Sequence, residues 1–79
     1  MTTKAAAWDA VLDAKLTWDA CVAANDAAWG ACVAANEAND DEARFAALTA
    51  FSATGEAVTA AARDVAEAQA KLEAILDTP

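Results

Sequence analysis

The chain has no histidine, no tyrosine, two glycines and a single proline at its last position in 79 residues. Without histidine it lacks the commonest general base near neutral pH and the commonest metal ligand. Basic residues are scarce: five Lys and Arg stand against thirteen Asp and Glu, a formal charge of −8. Affinity for phosphate backbones and anionic lipid comes from clustered Lys and Arg, so direct binding to nucleic acid or to a membrane surface is not expected. A basic protein surface stays compatible with this charge. No run approaches the roughly 18 consecutive apolar residues of a membrane span, and no apolar segment follows the first residues as in a secretory signal. The expected location is cytoplasmic, or within a virion, with Cys21 and Cys32 reduced in the cytoplasmic case.

Large aliphatic side chains are also few. The apolar class makes up 58% of the chain, but 27 of those residues are alanine, and Leu, Ile, Val and Phe together number 13. A thick self-contained core and a second domain are therefore excluded. What remains is strongly helical. Alanine is the best helix former, straight-chain charged residues fill many other positions, and no period-two run of β-branched or aromatic residues supports a strand.

The first half carries an internal repeat. The segment from Trp18 to Ala28 is followed by a near copy from Trp29 to Asn39, at a period of eleven residues. Eleven residues make three helical turns with about 20° of drift, so repeated residues stack near one face. The large residues trace a stripe through Trp8, Val11, Trp18, Val22, Asn25, Trp29, Cys32, Val33 and Asn36. The stripe loses phase between 36 and 44, where Asn39 followed by Glu42 resembles a capping box and Asp40, Asp41 and Glu42 suit a first helical turn. Beyond it, Leu48, Phe51, Gly55, Val58, Ala62, Val65, Gln69, Leu72 and Leu76 follow coiled-coil spacing. Since the phase survives Gly55, one continuous helix is expected there, with i,i+4 pairs Arg63–Glu67 and Glu67–Lys71 on its outer side.

The expected fold is all-α: an antiparallel, coiled-coil-like hairpin of two long helices. Helix 1 spans about 4–38, a turn about 38–40, and helix 2 about 40–77, in one domain covering 1–79. Trp18, Val22, Trp29 and Val33 should pack on Phe51, Val58, Val65 and Leu72. Asn25, Asn36 and Gln69 interrupt the seam and are candidates for fixing register, since a buried amide is costly unless paired.

Opposite the tryptophan stripe lie Ala20, Ala23, Ala27, Ala31, Ala34 and Ala38. Such a face fits close packing against another chain, and a lone hairpin is small enough to need oligomerisation. Cys21 and Cys32 stand about 16 Å apart along one helix, too far for a bridge within the chain and unlike a zinc site. They read as small core residues. They could also bridge two chains if two copies of helix 1 paired antiparallel about residues 26–27.

No Gly-rich phosphate loop, Ser–His pairing or calcium loop is present, and Asp40–Asp41–Glu42 reads as a capping device. Neither catalysis nor a cofactor or metal is expected. The leading expectation is a structural or assembly protein that forms homo-oligomers or joins subunits of a larger assembly; a minor component of a viral particle would suit its size. The alternatives are an acidic inhibitor that imitates nucleic-acid charge in a basic protein groove, and a bundle that binds a small ligand through Trp and Asn.

Overall fold

The computed structural model describes residues 3–77, and among these the chain forms two helices, α1 (Lys4–Ala38) and α2 (Asp41–Leu76). They lie side by side as the expected antiparallel hairpin, a rod of 61 × 15 × 13 Å. α2 runs unbroken through Gly55, so the helix continues where the apolar phase does.

Each helix start is capped by a side chain, and each helix end is closed by backbone amides. The Thr3 hydroxyl accepts a bond from the Ala6 amide at 3.1 Å and caps α1. At the turn, Asn39 adopts the left-handed conformation (φ 55°, ψ 41°), which Asn tolerates better than most residues with a Cβ. The Asp40 amide then reaches back to the Ala35 carbonyl at 3.2 Å, the bond that closes a Schellman turn. The cap of α2 is Asp40, whose carboxylate accepts from the Ala43 amide at 3.1 Å. This corrects the expected Asn39–Glu42 capping box: Asn39 terminates α1, and the next residue starts α2. Arg44 ties the turn together, donating to Asp41 Oδ1 at 3.0 Å and Asn39 Oδ1 at 3.3 Å. That Arg44–Asp41 contact is the ion pair formed among the described residues. The expected pairs Arg63–Glu67 and Glu67–Lys71 are not closed, as their exposed side chains gain too little to be held in one geometry.

The seam has a strict seven-residue repeat, but not through all the residues that size alone selects. On α1 it passes through Ala7, Val11, Ala14, Trp18, Cys21, Asn25, Ala28, Cys32 and Ala35. On α2 it passes through Arg44, Ala47, Phe51, Thr54, Val58, Ala61, Val65, Ala68, Leu72 and Ile75. Among the described residues, Ala7, Val11, Cys32, Ala35, Ala47, Ala61 and Leu72 are buried. One heptad position of each helix is thus mostly small, which lets the backbones approach, while the other carries the larger groups.

Half of the expected α2 seam holds: Phe51, Val58 and Val65 are half-buried and Leu72 is buried. The other half is displaced by one residue. Leu48, Ala62, Gln69 and Leu76 are exposed and Gly55 is half-buried, while Ala47, Thr54, Ala61, Ala68 and Ile75 take the inner positions. The same displacement occurs on α1. Trp8 and Trp29 are 49% and 55% exposed, and Ala7 and Ala28 face inward in their place. Of the expected α1 core, Val22 is half-buried, whereas Trp18 and Val33 stay exposed. Rings as large as indole would hold the backbones apart at the centre of the seam, so Trp8 and Trp29 flank it, and Trp18, at a seam position, leaves its side chain partly in solvent.

Candidate interaction surface

The interior offers little chemistry. Among the expected polar seam residues only Asn25 faces inward, and its partner is Thr54. The Thr54 hydroxyl lies 2.8 Å from Asn25 Oδ1 and 3.0 Å from the Phe51 carbonyl, sharing its one proton between them. Asn36 and Gln69 are exposed and pair nothing across the seam. Asn25 and Thr54 thus form the polar pair that marks this register, as an amide at a seam position can do. Thr54 escapes sequence reasoning because a threonine among alanines reads as neutral. The signal was available in its position, three residues after Phe51 and seven before Ala61.

Both cysteines face the seam. Cys32 is buried and Cys21 half-buried, both as free thiols. A bridge between chains through Cys32 requires the hairpin to open. Among the described residues no cluster of His, Cys, Asp or Glu could hold a metal ion, and no helix is long and apolar enough to cross a membrane.

The surface is more distinctive than the interior. Among the described residues no side chain is fully sealed from solvent, whereas nine large apolar residues are exposed. Their arrangement follows from two competing periods. A seven-residue seam advances about 51° when the sequence advances eleven residues. Trp18 and Asn25 of the first repeat copy stand in the seam. Their equivalents Trp29 and Asn36 are turned one heptad position outward, and Val33 lies further round still. Trp8, ten residues before Trp18, falls at the same heptad position as Trp29.

One flank of the rod consequently collects Trp8, Leu12, Trp29 and Val33 from α1 and Phe45, Leu48 and Leu76 from α2. Near the turn, Trp29, Val33 and Leu48 line a single groove, which shows that the two helices contribute to the same side. The Trp29 ring also leans on Phe51, with centroids 5.4 Å apart and planes tilted by 51°. The other flank is alanine-rich. Near the chain ends it holds an open groove of about 550 Å3, with Ala7, Ala10 and Ala14 facing Ala68 and Ala74, and Asp64, Glu67 and Lys71 lining it too. The expected interface residues Ala20, Ala23, Ala27, Ala31, Ala34 and Ala38 are all exposed, and Ala20, Ala27, Ala31, Ala34 and Ala38 belong to that flank.

No family model matches the chain, and neither a curated protein nor a solved structure shows detectable similarity to it.

Proposed function

We propose that the protein is a non-catalytic assembly element, a helical hairpin that self-associates or joins subunits of a larger assembly. The observation carrying this reading is the surface left uncovered. The chain exposes 5628 Å2, whereas a compact monomer of this mass exposes about 4,450 Å2. The excess, about 1,200 Å2 by the same scaling, exceeds the roughly 800 Å2 that each partner contributes to a standard interface. Nine large apolar side chains contribute to the exposed surface of the described residues, all held on helices, so docking orders little backbone.

Light scattering coupled to size exclusion, run from micromolar to near-millimolar protein with and without reductant, tests self-association. The expected result is a dimer or larger species that dissociates on dilution. A helical monomer at every concentration would remove self-association from the proposal.

A further inference from the structure

We infer that a second copy of this chain docks on the flank bearing Trp8, Leu12, Trp29 and Val33, antiparallel to the first, so that two hairpins make a four-helix bundle. The inference rests on the self-association reading above and specifies its face and orientation.

The flank is self-complementary under one symmetry operation. Trp8–Leu12 and Trp29–Val33 are the same pair of positions repeated after three heptads, about 31 Å along the rod. Leu76 lies at the terminal end of this flank, and Phe45 and Leu48 lie at the turn end. A two-fold axis running across the face of this flank, level with the boundary between residues 20 and 21, exchanges these two clusters. It sets Trp8 level with Val33 of the partner copy and Leu12 level with Trp29 of the partner copy. It also sets Lys15 level with Asp26 of the partner copy, and the reverse, giving two symmetry-related charge pairs. Within one chain, Lys15 and Asp26 are eleven residues apart on one helix, about 16 Å, so they do not pair with each other. An isologous interface requires this kind of internal matching.

The alternative orientation is disfavoured by charge. Parallel docking would place the two turns side by side, each carrying Glu37, Asp40, Asp41 and Glu42. Antiparallel docking separates those turns by the length of the rod. On α2 the middle of the same flank is small, with Ser52, Gly55, Thr59, Ala62 and Ala66, so the two copies of α2 can approach closely while the large α1 residues interlock. The alanine face offers no comparable set: its side chains are short, and no pairing of opposite charges singles out an orientation.

Charge reversal tests the arrangement, because Lys15 and Asp26 are both exposed, lie outside the seam and form no ion pair within the hairpin. Association is measured by sedimentation equilibrium at low salt, with helix content checked by circular dichroism. Lys15→Glu and Asp26→Lys should each weaken dimerisation about tenfold, since each reversal spoils both symmetry-related pairs. The double variant restores opposite charges across the axis and should return Kd to near its original value. Ala27→Glu, on the other flank, should leave Kd unchanged. A dimer indifferent to the single reversals, or not rescued by the double variant, overturns this face and orientation while leaving self-association intact. A monomer under all conditions overturns both.

Discussion

Replacing Gly30 with alanine should stabilise the protein, and the size of the gain follows from its surroundings. Gly30 lies inside α1, about two turns from its end, without positive φ, so its backbone needs no glycine. A Cβ built there meets nothing within 4 Å. Nothing offsets the intrinsic advantage of alanine in a helix interior, about 1 kcal/mol. For a domain of this size that raises Tm by about 4–8 °C. Gly55 makes a graded control. Its added Cβ would sit 3.8 Å from Asn25 Oδ1, an ordinary contact, so the gain should be similar or slightly smaller. Urea unfolding followed by helical circular dichroism measures both, at one fixed protein concentration because assembly couples apparent stability to concentration. The midpoint should rise with the denaturant slope unchanged. A lower midpoint for Gly30→Ala would mean that this face is covered or that the helix is not continuous there, and the reasoning would fail at its first step.

Two further substitutions probe the seam and the turn. Ala61→Leu should cost about 1–3 kcal/mol by overpacking a position only 4% exposed, whereas Ala62→Leu, one residue round the helix, should change monomer stability little. Equal effects in denaturant titrations would refute the seam register. Asp40→Ala removes the carboxylate that accepts from the Ala43 amide and should cost about 1 kcal/mol, while Asp41→Ala, which frees Arg44 from an exposed pair, should cost less. A reversed order in the unfolding midpoints would place the cap on the wrong residue.

The hairpin was legible in the sequence because two signals agreed: helix propensity throughout and a phase break at 36–44. The rotation of each helix about its own axis was less so. Ranking residues by size draws the inner stripe through Trp8, Trp29, Leu48 and Leu76. The chain instead buries Ala7, Ala35, Ala47 and Ala61. Hydrophobicity measures how much a side chain gains from burial; it does not measure how near two backbones can come, and here the second quantity decides. A seven-residue spacing of mostly alanine, at 7, 14, 28 and 35 on α1 and at 47, 61 and 68 on α2, was present to be counted. The polar pair needed both helices at once. Asn25 stood out alone, but Thr54 acquires meaning only when the register brings it opposite.

The mismatch between the eleven-residue repeat and the seven-residue seam has a consequence for how such a rod can be extended. Adding seven residues to each helix would lengthen it by about 10 Å and leave every surface as it was. Adding eleven lengthens α1 by about 16 Å and also re-aims the new copy, so that residues built for the inside arrive on the outside. Length and stickiness then come from a single change. Repeating it would wind further apolar groups progressively around the rod, so the number of copies would set both how far the hairpin reaches and on how many sides it can be gripped.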